Sequence, residues 1–407
     1  MSTKSGFYEI AKQAMLTPQE APVMVKAKHS NAMRIGIPKE TTFQENRIGL
    51  TPQAAHLLVS SGHEVFIEAG AGKEAKFYDR DYEDAGAKIT YSKEEIYKCD
   101  IIMKVSFPSM EEIEMIEEGK TIISALHLAM LKDEQIKKLI KKRVTAICFE
   151  YMRDEGGVLP VIQAMSEIAG STSVLIAAEY LSNINHGKGV MLGGISGIPP
   201  SEVVILGAGT VGHFATRAAL GLGAAVKVFD NSIYKLRRLQ NDLGLRIYTS
   251  IMHPNILLKA LKSADVVIGA IRANSGRTPC IVSEEMVMEM KTGSVIVDVS
   301  IDQGGCFETS QVTNHTHPIF EKHGVIHYCV PNIASRVART ASYALSNIFA
   351  PILLDIGDYG GIKNYLWNMD GVRHGVYIYK GNLTNKHISE RFGIQYKEID
   401  LLIAAQL

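Results

Sequence analysis

The run Gly207-Ala208-Gly209-Thr210-Val211-Gly212 has the Gly-x-Gly-x-x-Gly spacing of a phosphate cradle. Each position answers a chemical need. Gly207 permits a tight turn, Gly209 lets backbone N–H groups approach a pyrophosphate, and Gly212 allows a helix to pack closely on a strand. Thr210 and Val211 open that helix, whose N-terminal field favours phosphate charge. Asp230 closes the next strand, about 20 residues on, where a carboxylate accepts hydrogen bonds from an adenosine ribose and repels a 2′-phosphate. That selects NAD over NADP, and Lys235, Arg237 and Arg238 close behind weaken the selection.

Other positions carry candidate chemistry with less context. Arg47 sits in the polar loop ENRIGL, where a guanidinium suits a carboxylate, although an ordinary surface arginine fits the sequence too. His127 ends the run TIISAL, at the strand end where open sheets place ligands, and reads equally as a core histidine or an acid/base. Asp302, Gln303 and Asn332 fall just past strand ends, suited to the rim of a nicotinamide pocket. His315, His317, His323 and His327 come without a cysteine or carboxylate set, so no metal site is expected.

These residues need a frame, and the pattern supplies one. Short apolar runs at MRIGI, HEVFIEAG, DIIMKV, TIISAL and VTAICFE alternate with helical stretches, the first opened by Thr51 as N-cap and Pro52 at N1. A longer helix from about Pro160 to Leu181 leads to the Gly/Pro-rich segment 186–202, which reads as a joint. A second series follows: VVILGAG, AAVKVFD, RIYTS, DVVIGA, SVIVDVS and GVIHYCV, then a helix from about Ala338 to Leu353 and a mixed tail. The expectation is an α/β chain with two doubly wound, Rossmann-like parallel sheets separated by a cleft.

Composition agrees with that class. The 407 residues are 46% hydrophobic and 21% charged, neither fibrous nor disordered, and long enough for two domains. Lys plus Arg equal Asp plus Glu at 43 each, so no global field recruits nucleic acid or an acidic membrane. Five widely spaced cysteines suggest free thiols in a reducing compartment, and no uninterrupted apolar run reaches membrane-helix length, so a cytoplasmic protein is expected.

Taken together, MRIGIPKE with ENRIGLTP, GHEVFIEAGAG, SALHLA, MSEIAG, GVMLGGISGIPP, GAGTVG, SVIVDVSIDQGGCFETS and HYCVPN resemble the alanine dehydrogenase and pyridine nucleotide transhydrogenase alpha-subunit family. The resemblance runs from Met33 to about Ala350, leaving 1–32 as an extension. It implies a substrate domain of 33–165 plus about 345–407, an inserted NAD-binding domain of about 166–344, and a homohexamer. By position it implies that Arg47 binds the substrate carboxylate, His127 acts as acid/base and Asp302 stands at the reacting carbon. Asn332 then borders the substrate and nicotinamide pocket, and Ser166 and Asp230 contact the cofactor. One departure matters: the family's Lys-Val-Lys-x-Pro reads Lys104-Val105-Ser106-Phe107-Pro108, so a hydroxyl replaces the lysine that contacts pyruvate in the family. The activity implied is reversible oxidative deamination of L-alanine with NAD. The alternatives are a dehydrogenase of another small amino or keto acid, because of Ser106, and a non-enzymatic NAD-binding regulator.

Overall fold

The computed structural model describes residues 32–126, 128, 131–272 and 277–405. His127 and nearly all of the N-terminal extension lie outside them. The first sheet has eight strands: β1 (Arg34–Ile37), β2 (Glu64–Glu68), β3 (Lys88–Thr90), β4 (Ile101–Met103), β5 (Thr121–Ser124), β6 (Thr145–Cys148) and, from the tail, β14 (Val376–Tyr379) and β15 (Asn382–Leu383). The second has seven: β7 (Glu202–Leu206), β8 (Ala225–Phe229), β9 (Tyr248–Ser250), β10 (Val266–Gly269), β11 (Val295–Asp298), β12 (Ile319–Lys322) and β13 (Val325–Tyr328).

Their spatial orders are β15-β14-β6-β5-β4-β1-β2-β3 and β12-β13-β11-β10-β7-β8-β9. Each sheet therefore contains one doubly wound parallel set, with the order reversing between β1 and β4 in the first and between β7 and β10 in the second. At these switch points neighbouring connections leave on opposite faces, opening a crevice beyond the strands' carboxyl ends. The sheets are mixed rather than purely parallel: β14 runs antiparallel to β6 and β15, and β12 antiparallel to β13.

Strand side chains alternate between two cores per sheet. Ile101 and Ile123 face one side of the first sheet while Ile102 and Ile122 face the other. Val203 and Ile205 face one side of the second, Val204 and Leu206 the other. The long helix Ala338–Asp358 returns the chain to the first sheet, burying Leu345, Phe349 and Leu353 at i, i+4 and i+8. Burial of each such side chain contributes about 1.5–3 kcal/mol.

The helix Pro160–Tyr180 joins the two halves. Val161 belongs to the first core, while Val174, Ile176 and Ala177 belong to the second. The chain thus changes sheets within this helix, ahead of the Gly/Pro-rich segment that the sequence offered as the joint. By length and composition the helix is apolar enough to cross a membrane, and it is the one such helix among the described residues. Its apolarity has a local use: Gly170 lets it lie against the Thr210–Gly221 helix, since a Cβ there would meet the Val211 carbonyl oxygen at 2.4 Å.

Candidate active site

The site is assembled from loops leaving the carboxyl ends of both sheets. In the second sheet Gly207 follows β7 with φ of 107°, and a Cβ on it would sit 2.5 Å from the Ala270 carbonyl oxygen beyond β10. Gly212 is equally constrained, because a Cβ there would lie 1.8 Å from the Gly207 carbonyl oxygen. Gly209 differs: among the described residues, its chain neighbours aside, nothing lies within 4 Å of its would-be Cβ. Internal packing explains two glycines, while the third leaves space beside the backbone. Gly209 is also the N-cap of the Thr210–Gly221 helix and offers no side chain to its first-turn N–H groups, at Thr210, Val211 and Gly212. Those features fit a dinucleotide pyrophosphate.

Asp230 braces this turn. Its carboxylate accepts from the Ala208 N–H at 2.8 Å and the Ser232 N–H at 2.7 Å, with Lys235 Nζ 4.0 Å away. Each oxygen keeps further acceptor capacity for a ribose hydroxyl. Ser166 lies half-buried on the joining helix, next to Met165, whose sulfur approaches Arg47 Nη1 at 3.4 Å.

Arg47 is held rather than free at the surface. Its Nε and Nη2 donate to the two oxygens of Glu45 at 2.7 and 2.6 Å, a fork-to-fork pair. Asn332 Nδ2 donates to the same carboxylate at 3.0 Å, bringing the second sheet's β13 connection onto the first sheet's loop. Burial alone would push the Glu45 carboxyl up, but the Arg47 charge and hydrogen bonds outweigh it and hold it below the usual glutamate value. Burial likewise opposes the Arg47 charge, which Glu45, then Glu40 and Glu150, more than restore. A run of serines fixes the loop: Ser335 Oγ accepts from the Asn46 N–H at 2.9 Å, Ser342 Oγ from the Ile48 N–H at 2.9 Å and Ser346 Oγ from the Thr51 N–H at 3.0 Å. Thr51 starts its helix as expected, yet its hydroxyl pairs with Ser346 at 3.1 Å instead of capping.

The switch point between β1 and β4 explains what stands at Ser106. Glu40, on the loop after β1, accepts from Lys104 Nζ at 3.0 Å, the Val105 N–H at 2.5 Å, the Ser106 N–H at 3.2 Å and the Ser106 hydroxyl. Thr42, exposed, donates to Ser106 Oγ at 2.8 Å. Lys104 is fully enclosed and also pairs with Glu112 at 3.2 Å. Both 104 and 106 therefore turn to one acid, and Lys104 is committed to buried carboxylates. Burial opposes its charge, and Glu40 and Glu112 overcome that and hold the ammonium charged. Desolvation pushes the Glu40 carboxyl up, only partly offset by Lys104 and Ser106.

Asp302 follows β11 and remains exposed to the cleft. Desolvation by the surrounding protein pushes its carboxyl up, against the Gln303 backbone N–H and the Arg272 charge, and Glu150 acts in the same upward direction. Glu150, in the turn that follows β6, accepts from the N–H of Leu126, the residue directly before His127, at 3.2 Å. His327 is structural: fully buried, it pairs with Thr309 at 2.8 Å and the Val325 carbonyl at 2.9 Å, and burial lowers it to about 4.

Residues 36–169 match the description "Alanine dehydrogenase/PNT, N-terminal domain" and residues 173–386 match "Alanine dehydrogenase/PNT, C-terminal domain". The chain belongs to the alanine dehydrogenase/PNT family. A relative in Staphylococcus aureus (strain USA300), "Alanine dehydrogenase 2", is 38% identical over 369 residues, covering 90% of this chain and 99% of its own length. The solved structure of an "L-alanine dehydrogenase" superposes with a TM-score of 0.84 at 38% identity, over 89% of this chain and 99% of that one. A transhydrogenase from Sinorhizobium meliloti shares the fold, with a TM-score of 0.75 at 24% identity, over 87% of this chain and 99% of its own. Within the alanine dehydrogenase/PNT frame, the sequence reading missed Glu40, Glu45 and Glu150. A signal existed for Glu45, two residues before a buried arginine that required a counter-charge.

Proposed function

We propose that this chain catalyses the reversible, NAD-dependent oxidative deamination of L-alanine to pyruvate and ammonia, as the names of its 38%-identical relatives suggest. The observation that carries this reading is the Arg47 fork. Of the five N–H donors of a guanidinium, two go to Glu45 and one to Met165 sulfur, leaving one on each Nη for a substrate carboxylate among the described contacts. Glu45 and Asn332 fix its plane beforehand.

When bound, NAD supplies the two-electron acceptor for the substrate carbon, held by the Gly207–Gly212 turn, Ser166, Asp230 and Lys235. Arg47 orients and neutralises the carboxylate. His127 takes and returns the proton at the substrate nitrogen and at the oxygen delivered by water. Asp302 orients that water at the reacting carbon, its raised carboxyl allowing it to hold a proton closer to neutrality than an ordinary aspartate. Ser106, with Thr42 and Glu40, forms the hydroxyl side of the pocket.

We further read 33–165 plus about 345–407 as the substrate domain and about 166–344 as the dinucleotide domain. Five free cysteines support a cytoplasmic setting, without nucleic-acid or membrane partners. A homo-oligomer, hexameric by family resemblance, is part of this reading; exposed apolar residues around 184–198, among them Ile184, Met191, Ile195 and Ile198, support association but not its number.

The test is NADH oxidation at 340 nm with pyruvate plus ammonium, beside glyoxylate, 2-oxobutyrate and an ammonium-free control. Fast turnover that requires ammonium and prefers pyruvate is expected. Turnover of another keto acid in preference would move the assignment to Ser106-altered specificity, and NADH binding without turnover would leave only a binding role.

A further inference from the structure

Gln44 is not needed by the mechanism above, yet its side chain makes two hydrogen bonds across the cleft. Its Oε1 accepts from the His315 N–H at 2.6 Å, and its Nε2 donates to Thr316 Oγ1 at 2.7 Å. Both partners belong to the loop before β12 of the second sheet, while Gln44 stands three residues before Arg47 on the loop after β1. The receiving loop is built for a fixed pose: Asn314 Oδ1 accepts from the Thr316 and His317 N–H groups, each at 2.9 Å. Gln44 itself occupies the left-handed region with φ of 60°, an unfavourable conformation for a residue with a Cβ, and Asn332 across the seam does the same at 59°. Such conformations persist where surrounding contacts over-determine them.

We propose that Gln44 is a positioning residue for the reaction, fastening the loop that carries Arg47 to the dinucleotide-binding half so that carboxylate and acceptor keep one registration. The proposal rests on reading Arg47 as the carboxylate ligand. The main chain of the same loop is pinned separately, since Ser335 Oγ donates to the Gln44 carbonyl at 2.7 Å and accepts from the Asn46 N–H. Removing the Gln44 side chain therefore leaves the loop's fold and frees only its alignment with 315–316. A ligand held by one half alone should not sense this, whereas pyruvate, gripped by Arg47 and presented to the other half, should.

The test compares Q44A, Q44E, T316V and Q44A/T316V in the intact enzyme. Q44A is expected to raise the KM for pyruvate about tenfold and lower kcat, with the Kd for NADH, read by fluorescence, within about twofold of wild type. Q44E is expected to restore both, because one carboxylate oxygen still accepts from His315 and the Thr316 hydroxyl turns to donate to the other. T316V should cost about threefold, and the double variant should be no worse than Q44A. Exchange of the His315 amide should quicken at least about tenfold in Q44A and not in Q44E, a readout independent of turnover. A fast-exchanging His315 amide in wild type, additive effects in the double variant, or a Q44A that only melts earlier would each overturn the proposal. An R47A variant with unchanged pyruvate KM would instead sink the reading of Arg47, leaving the amide exchange to judge Gln44.

Discussion

At the scale of single residues, the most consequential arrangement is the Arg47 guanidinium, which spends Nε and Nη2 on Glu45 and which we propose as the ligand of the substrate carboxylate. A lysine at 47 would keep the charge and lose the fork, since three donors on one nitrogen cannot satisfy both oxygens of Glu45 and a planar substrate carboxylate together. R47K is therefore expected to raise the KM for pyruvate about 10- to 100-fold with the Kd for NADH unchanged, measured by steady-state kinetics and fluorescence titration. Equal losses in both would mean that the substitution damages the cleft as a whole. Arg47 was legible in the sequence as a type, in a polar loop after a strand. Its acids were less so: Glu45 stands only two residues from Arg47, but both it and Glu40 lie in an irregular loop, where spacing has no period to announce which side chains meet, and their further partners come from 64 or more residues away through the β1/β4 and β13 connections. Ser106 shows both sides of this. The sequence located the hydroxyl where a family lysine stands, while only the fold shows that Lys104 and Ser106 answer to the same buried Glu40.

At the scale of elements, the glycine turn separates fold from function within six residues. G212A places a methyl group against the Gly207 carbonyl and is expected to destabilise the protein by about 1–3 kcal/mol, lowering the thermal midpoint. G209A meets nothing beyond its chain neighbours among the described residues, so its thermal midpoint should match wild type while the Kd for NADH rises about tenfold or more. Unchanged NADH affinity in a folded G209A would remove the turn from the cofactor site. The central strands were readable because continuous apolar runs between helical stretches imply burial on both faces, as in β5, β6, β10 and β11, where every residue is buried. Three strands at the antiparallel ends of the sheets were not readable: β12 is only partly buried, β15 has two residues, and β14, though fully buried, is a four-residue run that period alone does not tell from a turn of helix. Those are also the antiparallel strands, whose presence depends on tertiary pairing with β13 and β6 rather than on a local signal.

At the scale of the whole molecule, both sheets turn their carboxyl ends to one cleft, while a different surface carries apolar groups that are exposed among the described residues. Ile184 is 88% exposed, Met191 68%, Ile195 61% and Ile198 59%, beside a concavity of about 450 Å³ lined by Val190, Leu192 and Leu222. Apolar groups gathered this way mark association surfaces in soluble proteins. None of them contributes a donor, acceptor or charge to the cleft, so a second copy can cover them without obstructing the substrate's path. Placing carboxylates there should oppose association through the cost of burying unpaired charge while leaving the cores intact. M191D/I195D is accordingly expected to sediment as a smaller species than wild type, with an unchanged circular dichroism spectrum and a Kd for NADH within about twofold. A wild-type protein that is already monomeric at micromolar concentration would refute the association, and a variant that keeps the wild-type mass would move the interface elsewhere. Because the joining helix Pro160–Tyr180 leads into this apolar segment at one end and passes Arg47 at Met165 at the other, lost turnover in a dissociated but NADH-binding variant would place the effect of assembly on the alignment of the two halves.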